Sequence, residues 1–327
     1  MSSGTALRGL LGVAISIVAA WILLSSVDVA AALDVLAQAN IALGGLMVVS
    51  VALDVAARGA RWRALLAPIQ PIAYRRVLGY TYIGYLANNV LPARLGELVR
   101  SHALGEREGL SRTTVLGTVV VERIVDTVIV VGLAALAVVV LGIGGVLSTA
   151  VVLGAGFVGL LVVGLLLAIQ SHRLPGAERV AALAGRVPRA LDLARRLRDG
   201  LQVVGRPRTL ATALVYSAAA WAFSIATFLI GGRAIGIELT PAQAALLSSG
   251  VALATIVPSG PGYLGTFELT AVGIATQFGI ARDPAFAMAL LVHAMILLVT
   301  TVGGVLAALR LGVGRLTVAR DREPPGS

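Results

Sequence analysis

The chain has 327 residues, of which 58% are hydrophobic and only 13% charged. Soluble domains carry about 25% charged residues, so this composition excludes an ordinary soluble protein and points to a polytopic helical membrane protein. The net charge of +10 comes entirely from arginine, which in such a chain marks cytoplasmic loops and anionic lipid headgroups and argues against a nucleic-acid partner. There is no cysteine, which excludes disulfides and thiolate chemistry.

Residues 9–24 are almost wholly apolar. The run exceeds the roughly 7–15 residues of a signal-peptide core, so it reads as an uncleaved first span. Residues 27–40 carry Asp28 and Asp34 and no arginine. They are expected outside, as a short interfacial helix. Residues 41–57 form a second span, with Asp54 near its end and Arg58 one turn later; this pair reads as an ion pair at the membrane interface. Arg58, Arg61, Arg63, Arg75 and Arg76 crowd the next stretch and mark it as a cytoplasmic loop.

Residues 77–91 are apolar and tyrosine-bearing, but short of the roughly 20 a span needs. They run into a polar, proline-broken stretch with Asn88, Asn89, Pro92, Arg94, Gly96, Glu97 and Arg100. Residues 113–141 form a long span that contains Glu122, Arg123 and Asp126. Residues 142–145 make an outer turn and 146–169 span back. The arginine-rich segment 170–208 is expected in the cytoplasm, and leucines 191, 193, 197 and 201 among its charges predict an amphipathic helix over 187–204.

Residues 209–230 span outward. Pro241 opens a helix over 241–257 in the favoured early position. A second polar stretch follows, with Pro258, Pro261, Gly262, Gly265 and Glu268. Residues 269–280 are helix-like, Arg282-Asp283-Pro284 reads as a turn, and 285–311 are the last span, with His293 read as a lone core histidine. Arginines after 310 place the C-terminus inside, like the N-terminus, and 324–327 read as a disordered tail. Residues 1–323 thus read as a single transmembrane domain.

The arginine loops fix the topology. The first polar stretch must enter and leave from the cytoplasmic side, the second from the outside. The expected fold is all-α: about six full spans plus two opposed re-entrant or broken helical hairpins, an inverted-repeat pattern that puts a binding site at the midplane.

Arg94, Glu97 and Arg100 recur every three residues, so a helix starting at Pro92 puts them on one face, with Glu97 between two guanidinium groups. The surplus positive charge would face an anion, and arginine suits a phosphate. Glu122 and Asp126 lie one turn apart with Arg123 beside them, the pattern of a gate, a proton relay or a buried ion-pair network. The glycines of the second stretch break the helix and would offer backbone N–H groups to an anionic headgroup; the alternative is a tight packing turn. Glu268, if near Glu97, would be placed to couple the site to protons. No metal-ligand cluster and no nucleotide-binding loop is visible, so no metal and no cofactor are expected.

Three motifs carry a family resemblance: Asn88-Asn89-x-Leu91-Pro92-x-Arg94-x-Gly96-Glu97-x-x-Arg100, then Val121-Glu122-Arg123-x-x-Asp126, then Pro258-x-x-Pro261-Gly262-x-Leu264-Gly265-Thr266-x-Glu268. The chain resembles the lysylphosphatidylglycerol synthase transmembrane, or flippase-like, family. The resemblance implies a cell-membrane module that moves a lipid between leaflets, without the aminoacyl-transferase domain of the family's larger members. Where that family commonly has Pro-Gly-Gly-Leu-Gly, this chain has Tyr263 for the second glycine. The expected substrate is a phospholipid or a polyprenyl-phosphate-type lipid. The alternatives are a non-transporting membrane partner of a lipid-modifying or glycosyl-transfer enzyme, and an enzyme acting on a lipid phosphate.

Overall fold

The computed structural model describes residues 3–91, 94–145, 206–256 and 259–312, with a few positions between 148 and 160. The expectations for Pro92, Pro258, the cytoplasmic helix over 187–204 and the C-terminal tail fall outside the described residues, as does most of the span at 146–169.

The helices run in order: α1 (Ser3–Leu24), α2 (Val29–Ala37), α3 (Ile41–Leu66), α4 (Tyr74–Val90), α5 (Gly96–Glu108), α6 (Arg112–Leu141), α7 (Pro207–Ala234), α8 (Pro241–Ala254), α9 (Thr266–Ala275) and α10 (Arg282–Leu311). Four of them, α3, α6, α7 and α10, are long and apolar enough to cross a bilayer. The bent pair α1/α2, turned by 84°, can be counted as a fifth span. The class is that expected, an all-helical membrane protein.

Two groups share one pattern: long α3, short α4 and α5, long α6; then long α7, short α8 and α9, long α10. In each, the short helices form a hairpin. The α3 and α7 helices pack antiparallel. Asn40 N–H donates to Ala234 O at 2.8 Å, Ser50 Oγ donates to Phe223 O at 2.9 Å, and Arg61 Nη1 donates to Ser217 Oγ at 2.9 Å. The connection after α3 and the connection after α7 therefore lie at opposite ends of the molecule, and the two hairpins enter from opposite ends. The α4 helix also runs antiparallel to α10, with Tyr82 against Gly303 and Asn89 Nδ2 donating to Thr300 Oγ1 at 2.9 Å. It stops part-way along α10, so the first hairpin tip sits at mid-depth.

Because the natural sequence has no cysteine, this arrangement has a clean test. Single cysteines at Ala73 and Glu238, both exposed in the connections that feed the hairpins, should react with a membrane-impermeant thiol reagent from opposite faces. Reaction of both from one face would overturn the opposed arrangement.

Local chemistry explains the hairpin ends. Gly96 N–H, the first of α5, donates to Asn88 Oδ1 at 2.7 Å, so an amide on α4 caps the helix that follows. Thr240 and Gln243 form a capping box at the start of α8 with Pro241 at its first position. Glu268 Oε2 accepts from Gly265 N–H at 2.7 Å and closes the start of α9. Gly265 has φ 83, and a Cβ there would lie 2.7 Å from Ser16 O on α1, so only glycine lets the second tip press against the first span.

The core is split. One apolar cluster gathers Met47, Phe228, Leu246, Phe267 and Met288; a second gathers Trp62, Leu66, Tyr80, Leu104, Val115 and Ala307; a small third gathers Leu65, Val121, Val125 and Ala213. Along α3 and along α6 the charged residues fall between the parts of each helix that feed the two larger clusters. A polar layer thus crosses the molecule at the depth of the hairpin tips.

Two expectations are corrected here. The second span does not stop at residue 57. The α3 helix runs to Leu66, and Arg61 and Trp62 are completely buried. The positive-inside rule assigned Arg58 and Arg61 to a loop, but carboxylates on the same and on facing helices hold them inside. Arg282-Asp283-Pro284 is not a turn but the first turn of α10, where a proline needs no N–H partner.

Candidate functional site

A cavity of about 260 Å³ lies between the hairpin tips and the four long helices. Its wall includes Asp54 and Arg58 from α3, Tyr85, Asn88 and Asn89 from α4, Arg94, Glu97 and Arg100 from the first tip and α5, and Glu122, Arg123 and Asp126 from α6. Trp221 and Phe228 from α7, Tyr263 and Phe267 from the second hairpin and His293 from α10 complete it.

Of the residues singled out in the sequence, Asn88, Asn89, Arg94, Gly96, Glu97, Arg100, Glu122, Arg123 and Asp126 come together on this wall. Pro261, Gly262, Gly265 and Glu268 do not line it. They build the second tip, and Gly262 stands close to Asn89 O of the first.

Buried carboxylates and guanidinium groups form a dense network. Glu122 Oε1 lies 2.7 Å from Arg123 Nη2, 2.9 Å from Arg100 Nη2 and 3.0 Å from Arg61 Nη2. Asp126 is held by both terminal nitrogens of Arg61, with Arg123 Nη2 at 3.4 Å and Arg58 Nη1 at 3.5 Å. Arg58 also pairs with Asp54 at 2.9 Å. Two guanidinium groups in the network lie over indole rings, Arg58 over Trp221 at 5.1 Å and Arg100 over Trp62 at 4.4 Å. Desolvated charges are tolerated only when paired this closely.

The pairing differs from the sequence expectation in four respects. Asp54 and Arg58 are not an interfacial pair but sit mid-helix on the cavity wall. The helix after the first tip starts at Gly96, not Pro92, so Arg94 precedes it. Glu97 pairs with neither Arg94 nor Arg100; its nearest guanidinium is Arg123, at 3.9 Å. At the second tip two of the three glycine amides are already engaged, since Gly260 N–H donates to Ser16 Oγ and Gly265 N–H to Glu268 Oε2.

Arg94 stands apart. No carboxylate pairs with it among the described residues; its Nη1 donates to Thr255 O at 2.8 Å, and its guanidinium lies 5.8 Å from the Tyr263 ring centroid. Arg94 and Tyr263 are also the two non-glycine residues with positive φ among the described residues, at 53° and 59°. Such backbone strain costs on the order of 1–3 kcal/mol per residue and concentrates at functional positions. Here the two strained residues touch where the opposed tips meet.

Arg61 was missed as part of this network, although a signal was present. Asp54, Arg58 and Arg61 are spaced by four and three residues, which is one face of a helix. His293 was read as a lone core residue. It is buried, but its Nδ1 lies 2.6 Å from Glu268 Oε1, and its ring stacks on Phe267 with centroids 4.1 Å apart. Glu268 serves His293 from behind the wall instead of facing Glu97 across the cavity.

Two opposed helical hairpins meeting at a charged cavity define a polytopic membrane protein with a polar site between the hairpin tips. The chain belongs to the family described as the lysylphosphatidylglycerol synthase TM region, which it matches over residues 9–304. It is also similar to the glycosyltransferase AglD of Haloferax volcanii, with 27% identity over an alignment that covers 95% of this chain. The chain spans 57% of the length of that relative.

Proposed function

We propose that the protein is a lipid translocator that takes the phosphate-bearing headgroup of a phospholipid or polyprenyl-phosphate lipid into the cavity while the acyl or prenyl chains stay in the bilayer. The observation that carries this reading is Arg94, a guanidinium on the cavity wall with no carboxylate partner among the described residues, held at the meeting point of two opposed hairpins. The wall holds four guanidinium groups (Arg58, Arg94, Arg100, Arg123) and four carboxylates (Asp54, Glu97, Glu122, Asp126), with Arg61 and Glu268 behind it. The wall carboxylates are each drawn to a guanidinium other than Arg94, which leaves Arg94 to meet an anion. A volume of about 260 Å³ falls just below the roughly 300–1,000 Å³ of pockets for drug-sized ligands. It suits a headgroup, not a whole lipid. The working location is the cell membrane, with both termini in the cytoplasm.

The test is reconstitution in liposomes, following a fluorescent phospholipid as it becomes accessible to an external quencher. Wild type should move lipid; Arg94→Ala and Glu97→Gln should not, while both retain the wild-type unfolding temperature in detergent. Inert wild type, across several headgroups and under a pH gradient, would remove this reading.

The similarity to a named glycosyltransferase supports a second reading. This chain matches 57% of that relative's length, and the protein would then serve as the membrane partner of a glycosyl-transfer or other lipid-modifying enzyme. Co-purification of such an enzyme with a protein inert in liposomes favours it.

A further inference from the structure

His293 is almost fully buried, yet it lines the cavity. Its Nδ1 is 2.6 Å from Glu268 Oε1, so a proton lies between them. Glu268 is fixed in turn, since its other oxygen accepts from Gly265 N–H. Phe267 stacks on the imidazole and locks the ring plane. Glu268 itself is not on the wall, so the ring edge turned away from it is the one that meets the cavity. Nε2 is on that edge and has no hydrogen-bond partner among the described residues. An oriented ring nitrogen on the cavity side of a buried histidine, with no partner among the described residues, is placed to hydrogen-bond a ligand in the cavity.

We propose that the His293–Glu268 pair is a protonatable anchor for the phosphate of a lipid headgroup, donating Nε2–H to a phosphate oxygen and gaining that proton as the headgroup enters. This rests on the translocator reading for the lipid and extends it with a proton.

The charge accounting is direct. With one proton between Oε1 and Nδ1, the pair carries one negative charge and Nε2 is a bare acceptor, which repels a phosphate. A second proton, taken from the aqueous phase onto the Nε2 lone pair, makes the pair neutral and Nε2–H a donor. The anion favours the protonated pair, and by linkage the proton favours the anion.

Around the ring, α9 supplies Glu268 alone, and α7 and α8 contribute no titratable group to the wall. Asp28, which caps α2, lies at the start of α10, where its N–H donates to Asp283 Oδ1, and Asp34 on α2 is exposed. Across the cavity stand Asp54 and Arg58 on α3, Tyr85 on α4, Arg94 and Tyr263 at the tips, Glu97 and Arg100 on α5, and Glu122, Arg123 and Asp126 on α6. Asp54, Glu122 and Asp126 each have a guanidinium nitrogen within hydrogen-bond reach. Glu97, with its nearest guanidinium nitrogen at 3.9 Å, is the competing titratable carboxylate.

The experiment is calorimetric binding to the full chain in detergent, in two buffers of different ionisation enthalpy. The probe is dihexanoyl phosphatidylglycerol, a phosphodiester that does not itself titrate near neutral pH; farnesyl phosphate and inorganic phosphate are run beside it. Wild type should take up as much as one proton per lipid bound, with Kd rising about tenfold per pH unit above the midpoint. His293→Gln supplies a permanent amide donor. It should bind the lipid with no proton uptake and a flat pH profile, whereas His293→Phe should bind at least tenfold more weakly. Glu97→Gln should keep the proton uptake, which separates the two titratable groups.

Binding of wild type without proton uptake, uptake that persists in His293→Gln, or no binding of either lipid would overturn the proposal. Inorganic phosphate bound as tightly as the lipids would assign the site to the free anion and overturn its lipid part. No transport step enters the measurement. Proton-linked lipid binding by a protein that moves no lipid in liposomes sinks the translocator reading alone, and transport with proton-free binding sinks the anchor alone.

Discussion

Arg61→Ala is expected to destabilise the protein by about 3 kcal/mol, and to do so without touching the headgroup site directly. Arg61 is completely buried, and its guanidinium bridges Asp126 on one side and Glu122 on the other, with Ser217 as a further acceptor. Breaking a buried ion pair by removing one partner typically costs about 3–5 kcal/mol, because the remaining charge is left desolvated. The lower end applies here. Asp126 would keep Arg58 at 3.5 Å and Arg123 at 3.4 Å, and Glu122 would keep Arg100 and Arg123. Arg61→Ala/Asp126→Asn should lose clearly less than the sum of the two single changes, since the residues act as a unit. Arg94→Ala should barely move stability, since Arg94 has no carboxylate to strand among the described residues. Chemical unfolding in detergent, read by the fluorescence of Trp62 and Trp221 inside the layer, distinguishes these outcomes. An Arg61→Ala protein as stable as wild type would mean that the other guanidinium groups suffice and that Arg61 is dispensable to the fold.

The same residues explain what the sequence made legible. Hydropathy and the arginine loops were enough for the helical class, for the two interrupted stretches and for their opposite entry, because each follows from the cost of leaving backbone or charge unpaired in hydrocarbon. Much of the candidate wall was legible for a related reason: Asn88, Arg94, Glu97, Glu122 and Asp126 are too polar to face lipid. What stayed hidden was pairing between distant segments. Arg61 looks like a loop arginine until Asp126, sixty-five positions away, is brought against it. His293 looks like a core histidine until the second hairpin delivers Glu268. Arg94 looks helical by spacing, yet the tip needs it in a left-handed conformation before the helix starts. Periodicity reads one helix at a time, and a charge network shared by several helices has no periodicity of its own.

Gly96→Ala should be the most damaging single methyl group in the molecule's first half. A Cβ at Gly96 would lie 2.0 Å from Gly84 O and 2.5 Å from Asn88 Oδ1. The first is a backbone atom of α4 and cannot swing aside, so the hairpin would have to splay. Splaying moves α5 away from α4. That breaks the Asn88 cap on Gly96 N–H and draws Arg100 off Glu122 and off the Trp62 ring. Overpacking alone costs about 1–3 kcal/mol, and the uncoupled charge pair adds to it, so the loss should exceed that of Arg61→Ala. Gly84→Ala faces the same contact from the other helix but should be milder, because the nearest atoms to its Cβ, Arg100 Cδ at 2.9 Å and Gly96 O at 3.2 Å, need to give far less distance than Gly84 O at 2.0 Å. Gly132→Ala is the control. Nothing lies within 4 Å of its Cβ, and alanine in mid-helix should be neutral or stabilising by up to about 1 kcal/mol. Unfolding temperatures in detergent should therefore fall in the order Gly132→Ala, Gly84→Ala, Gly96→Ala. A Gly96→Ala protein that unfolds with wild type would show that the two hairpin helices do not approach this closely, and the placement of Arg94 at their tip would fall with it.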